Sequence, residues 1–189
     1  MRTEAPHLAV RTEVGFPADL IEQVAGGILD IAVVYAPQLR PGLRIELLIE
    51  EKLVLVTTRK RGRTVDPKDY VYVDWGPDFA AQHSLAFPEL ANPGVIAGLG
   101  PLGREYILAA GGSGYIRLAV VREHLESGRL RRVPDAPEFL YPAYAVFAEG
   151  ADESVVRPAL DGLRHAARPQ EGGSPPPRKG FKRTAARGE

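Results

Sequence analysis

"DLIEQVAGGILDIAVVY", residues 19–35, changes its hydrophobic period halfway along. Leu20, Ile21 and Val24 share one face of a helix; Phe16-Pro17 just before them puts proline in its first turn, and Gly26-Gly27 supplies the stop. From Ile28 to Tyr35 the chain is a nearly unbroken run of branched aliphatic residues, the pattern of a strand covered on both faces in a parallel sheet. Upstream, Leu8, Val10, Thr12 and Val14 alternate with Ala9, Arg11 and Glu13, which predicts a half-buried strand ended by Gly15. The three pieces together predict a β-α-β unit.

Downstream, Ile45, Leu47 and Ile49 and then Leu53 to Val56 make "LRIELLIEEKLVLVTT" extended over more residues than one ordinary strand holds. It is read as a strand that leaves one lobe and enters the next. "YVYVDW" is a further strand, halted by Gly76-Pro77 with a short helix behind it. "GLGPLGREYILAAGG" predicts a helix with Pro101 in its first turn and glycines at its end; a strand around Tyr115 to Ala119 and a helix around Val121 to Ser127 follow. "LRRV" and "LYPAYAVF" are extended, and "ESVVRPALDGLRHAA" is a last amphipathic helix with Val155, Val156, Leu160 and Leu163 facing in. From Arg168 onward few residues could be buried, and a disordered, basic, Pro- and Gly-rich tail is expected over 169–189.

The 189 residues, 44% of them hydrophobic, suffice for one ordinary core or for two small lobes sharing a hinge. Lys plus Arg equals Asp plus Glu, so no overall field favours nucleic acid or an anionic membrane. The chain has no cysteine, which excludes disulfides, thiolate metal sites and cysteine nucleophiles and agrees with a reducing cytoplasm. Charges are scattered through the first thirty residues, so no signal peptide or membrane span is expected there.

Three motifs suggest chemistry and fall short of it. Gly98-Leu99-Gly100-Pro101-Leu102-Gly103 matches G-x-G-x-x-G, but a dinucleotide site needs a complete strand before it, and "NPGVIA" is short and proline-broken. Ser113 sits in G-G-S-G-Y, where Tyr115 takes the position at which a nucleophile elbow demands glycine. His7, His83, His124 and His165 occur singly, without metal-ligand spacing, so no metal and no cofactor is expected. "YVDWGPDF" differs: Asp74, Trp75 and Gly76 stand where a strand ends and a helix starts, the edge at which α/β folds gather ligands. Trp75 as core and Asp74 as a cap is the competing reading. The tail's Arg178, Lys179, Lys182 and Arg183 are a weak basic patch.

"DLIEQVAGGILDIAVVY", "IELLIEEKLVLVT", "ILAAGGSGYIRLAVV" and "HLESGRLRRV" together resemble, in order and spacing, the effector-binding domains of LysR-type transcriptional regulators; "YVDWGPDFAAQH" and "APEFLYPAYAVF" fit as well. The resemblance runs from Pro6 to about Ala167. It implies the type 2 periplasmic-binding-protein fold: two α/β lobes joined by two crossing strands, with a small-molecule effector in the cleft. Lobe I would comprise 1–52 and 144–168, and lobe II 53–143. Cleft residues carried over by position are Gly15, Phe16 and Pro17, Tyr35 and Ala36, Asp74, Trp75 and Gly76, and Ser113 and Tyr115. Gly111 to Gly114 resembles the family's glycine turn beside the cleft. The family's "LP" proline is missing, with Arg117 and Ala119 nearby.

Family members begin with a winged helix-turn-helix, a linker helix, and the first strand and helix of lobe I, none of which is seen here. DNA contact would then come only through those absent parts, and loss of the strand and helix should expose apolar faces around Leu8 and Ile31 and impair the family's homo-oligomer. The function implied is effector sensing in the cytoplasm, not catalysis, with a small organic anion as the expected effector class. A stand-alone solute-binding protein of the same fold is the alternative.

Overall fold

In the computed structural model, which describes residues 8–60 and 65–167, helix α1 (Pro17–Ala25) starts on proline and is closed by Gly27 in the left-handed region (φ 69°). Its inward residues Ile21 and Val24 pack on Ala32 and Val34 of β1 (Ala32–Tyr35). β1, β9 (Ala143–Ala148) and β2 (Leu43–Ile49) form a three-stranded sheet in the order β1-β9-β2, with both pairings antiparallel. Strand alternation then sorts the faces. Val146 joins the α1 side, while Ala145 and Phe147 face Val156 and Leu160 of helix α5 (Glu153–Ala167). This is the first lobe.

The second lobe is built on β3 (Lys52–Thr57), whose Leu53 to Val56 are buried on both faces. β3 pairs antiparallel with β6 (Ser113–Arg117) on one side and with β7 (Arg131–Arg132) and β8 (Phe139–Leu140) on the other. β4 (Val71–Val73) pairs in parallel with β5 (Val95–Ala97) and meets β6 through a bridge between Tyr70 and Ser113. Helices α3 (Gly100–Ala110) and α4 (Leu118–Glu126) cover one face, with Ile107 and Val121 against Val54, Val56, Val71 and Ile116. Helix α2 (Pro77–Ala86) covers the other, where Phe79 joins Leu53, Leu55, Tyr70, Tyr115 and Phe139.

That second face holds a buried histidine. Tyr70 Oη and His83 Nε2 are 2.7 Å apart, and burial pushes the imidazole below its ordinary pKa while Glu89 opposes the shift. Below the free-imidazole pKa of about 6.5 the unfolded chain takes up a proton that the folded chain resists. The contribution to stability is therefore whole above that pH and declines beneath it. Urea unfolding between about pH 7 and 5 should show this slope, and His83→Phe should flatten it. An unchanged slope would mean that His83 accepts a proton in the native state.

Several expectations are corrected. Residues 8–16 are hydrogen-bonded to no strand, and Val10, Val14 and Phe16 are exposed: alternation marks a capacity to pair, and no neighbouring strand meets it among the described residues. The expected β-α-β unit is thus a helix followed by a strand. β1 is shorter than the branched run and lies at the sheet edge, antiparallel to β9, with Val33 exposed. "LRIELLIEEKLVLVTT" is two strands in different sheets, broken at Glu50-Glu51. The strand expected at Tyr115 to Ala119 ends at Arg117, and α4 begins at Leu118. "NPGVIA" does contain a strand, β5. The tail at 169–189, with Arg178, Lys179, Lys182 and Arg183, and His7 lie outside the described residues.

Candidate functional site at the joint between the lobes

Two passages connect the sheets: residues 49–52, from β2 to β3, and 140–143, from β8 to β9. At the first, the Glu51 carbonyl accepts the Tyr141 N–H at 2.8 Å, so the two passages cross in contact. The C-terminal ends of β1 and β6 reach the same place, each carrying a polar side chain. Arg117 Nη1, from β6 in the second lobe, donates to Glu51 Oε2 at 3.0 Å and to Tyr35 Oη, from β1 in the first lobe, at 3.0 Å. Glu51 is 8% exposed, and Arg117 answers its charge. An isolated buried carboxylate would be costly, which accounts for an arginine at the end of a buried strand.

Aromatic rings surround this ion pair. Tyr35 and Tyr141 are stacked with centroids 4.0 Å apart, and Trp75 meets Tyr141 edge-on at 5.1 Å. Burial raises the Tyr35 phenol above its ordinary pKa, against the lowering effect of Arg117, and raises Tyr141 as well. Both phenols therefore stay protonated at neutral pH.

Trp75 is held from two sides. Its Nε1 donates to the Tyr115 carbonyl at 2.9 Å, and a Cβ built on Gly100 would lie 2.3 Å from the indole. A Cβ on Gly103 would lie 2.4 Å from Val73 Cγ2. Gly100 and Gly103 of G-x-G-x-x-G thus let α3 lie against Trp75 and β4. The turn that presents the tryptophan is built locally: Asp74 N–H donates to Ala97 O, Asp74 Oδ1 accepts the Gly76 N–H at 2.9 Å, and Gly76 takes φ 97° before Pro77 opens α2.

The site residues expected from sequence separate into three groups. Tyr35 and Trp75 are brought together, with Ala36 (φ 47°), Asp74 and Gly76 beside them in the chain. Gly15, Phe16 and Pro17 precede and open α1; since α1 packs on β1 and returns to it through residues 26–31, its first turn points toward the Tyr35 end of the strand. Ser113 and the Tyr115 side chain are not at the joint. Ser113 lies at the opposite end of β6 from Arg117, 2% exposed, with its hydroxyl donating to Thr57 Oγ1 at 2.8 Å. Tyr115 is wholly buried, and its hydroxyl donates to the Pro137 carbonyl. Only the Tyr115 backbone, through its bond to Trp75, supports the joint.

Glu51 and Tyr141 were not singled out by sequence, and Arg117 stood out only where a proline was expected. The signal for Glu51 is an acid interrupting a long apolar extended run, the mark of a strand crossing between sheets. Among the described residues no group of acids and histidines could hold a metal ion, and no helix is long and apolar enough to cross a membrane.

The profile of the LysR substrate binding domain matches residues 1–168. The chain belongs to this family. Solved structures similar to this LysR substrate-binding domain include the bromide-bound regulatory domain of HypT from Salmonella typhimurium, at 15% identity and a TM-score of 0.69, covering 87% of this chain and 88% of that one. The CcmR regulatory domain from Synechocystis PCC6803 in complex with 2-PG aligns at 14% identity and a TM-score of 0.63, over 89% and 88% of the two chains. Full-length LysG from Corynebacterium glutamicum with bound effector Arg aligns at 18% identity and 0.60, over 82% of this chain and 57% of LysG. No curated protein matches the chain. These likenesses agree with the two-lobed, type 2 periplasmic-binding-protein architecture expected from sequence.

Proposed function

We propose that this LysR substrate-binding domain senses a small molecule held where its lobes meet, against Tyr35, Trp75 and Tyr141, and passes the resulting lobe arrangement to the DNA-binding part of a transcriptional regulator in the cytoplasm. The observation that carries the reading is the Tyr35–Arg117–Glu51 contact, in which groups from both lobes and from one crossing share a partly exposed guanidinium. A molecule touching that group touches both lobes, so its differential affinity for two lobe arrangements becomes a bias between them. The similar domains that hold bromide, 2-PG or arginine support ligand sensing as the role. Ser113, the nucleophile candidate of the sequence, gives its hydroxyl to Thr57 inside the sheet, which supports a binding role.

The test is thermal unfolding with a panel of small anionic, neutral and cationic metabolites. A ligand at a hundred times its Kd stabilises by about 2.7 kcal/mol, which for a domain of this size raises the Tm by about 5–10 °C. Perturbation of Trp75 emission by the same ligand places it at the joint. A panel with no stabilising member, or one whose binders leave Trp75 unaffected, would overturn the proposal.

A further inference from the structure

We infer that Arg117 is a carboxylate receptor, and that the molecule bound at the joint is a planar monocarboxylate; this rests on the joint being the binding site. The guanidinium has five N–H donors arranged as a fork. Both of its observed bonds, to Tyr35 and to Glu51, leave from Nη1. Nε and Nη2 donate to no described residue, yet no buried side-chain nitrogen or oxygen among the described residues lacks a partner. The Arg117 side chain is 30% exposed, and these two atoms are the donors that its bonds to Tyr35 and Glu51 leave over. They form the edge of the fork that takes a carboxylate with two parallel hydrogen bonds.

Neighbouring groups define the rest of the ligand. Arg117 donates to Tyr35 Oη, so the phenol's own proton is not used in that bond and can be given to a ligand oxygen. Tyr35, Tyr141 and Trp75 set an aromatic wall beside the guanidinium, suited to a flat apolar body. Buried Glu51 already balances Arg117, and Asp74 adds an exposed carboxylate close enough to act on Tyr141. A ligand with several negative charges would meet both acids, which selects for a single charge. Glu51 also fixes the guanidinium, so little order has to be created when the ligand arrives.

The experiment is a titration of the emission of Trp75, the one tryptophan, with benzoate and with its neutral isostere benzamide. Benzoate is expected to bind at least tenfold more tightly, roughly the worth of one charged pair of hydrogen bonds. Arg117→Gln should abolish the difference, and Arg117→Lys, which keeps the charge without the fork, should recover only part of it. Glu51→Gln removes the guanidinium's resident partner and should hold benzoate as tightly as the wild type or more so. If Arg117→Gln unfolds because Glu51 is left unpaired, the Glu51→Gln/Arg117→Gln pair carries the same test. Equal affinity for the two probes, wild-type binding of benzoate by Arg117→Gln, or no response to benzoate overturns the carboxylate assignment. A stabilising neutral or cationic metabolite that perturbs Trp75 would then leave the joint as the binding site and change only the ligand class.

Discussion

Gly112→Ala is expected to lower the melting temperature by about 10 °C, while Gly98→Ala should leave it nearly unchanged, within about 0.5 kcal/mol in stability. Gly112 stands just before β6 with φ 124°, where a side chain is strained. A Cβ there would lie 2.5 Å from the Asp69 carbonyl oxygen, part of the backbone leading into β4, which cannot rotate aside. Strain of about 1–3 kcal/mol for the dihedral and a similar cost for overpacking add to about 3–5 kcal/mol. Relief would require β4 to move away from β6, and the pair is locked by the Tyr70–Ser113 bridge and by Val71 and Ile116 in one core. Gly98 has an ordinary φ and no atom within 4 Å of an added Cβ, so it reports the intrinsic cost of the exchange. Melting curves of the two variants decide the matter. Equal melting temperatures would mean that β6 does not press on β4 and that the glycine turn needs another explanation.

The same residues mark where sequence reading succeeds and where it stops. Gly26-Gly27 ending α1, Pro17, Pro77 and Pro101 in first turns, and the amphipathic stripe of α5 act through local backbone and side-chain physics, so they are visible in a window of a dozen residues. Leu8 to Val14 fails because a strand needs a partner, and alternation says nothing about whether one is present. The run from Ile28 to Tyr35 fails differently: β-branching marks burial, but β1 obtains its cover from α1 and an antiparallel β9 that lies more than a hundred residues away. Tyr35 and Trp75 could be placed at one edge, here the joint between the lobes, because Tyr35 ends β1 and Trp75 follows the end of β4. Ser113 also borders a strand, but at its beginning, and the antiparallel pairing of β6 with β3 carries it away from the joint and delivers Arg117 instead. Glu51 and Tyr141 depend on the crossing of two segments about ninety residues apart, a non-local event with no local spacing to announce it.

Trp75 and Gly100 should prove energetically coupled by about 1–3 kcal/mol in a double-mutant cycle. Trp75→Ala removes the indole's bond to the Tyr115 carbonyl and its contacts with Tyr141 and the start of α3, for a loss of about 3 kcal/mol, the low end for a tryptophan because the ring is only half-buried. Gly100→Ala forces a methyl into a ring 2.3 Å away, which should cost about 1–3 kcal/mol alone. With the indole gone the methyl has room, and alanine favours the helix, so Gly100→Ala in the Trp75→Ala background should be neutral or stabilising. Urea denaturation of the four proteins measures the coupling. A strong interaction means that the indole, the start of α3 and the end of β4 move as one body, so that a ligand pressing on Trp75 shifts a helix of the second lobe as well as a side chain. Additivity within about 0.5 kcal/mol would show that the ring is free of α3. Gly100 would then have no packing reason to be glycine, and the close approach of α3 to the indole would need another explanation.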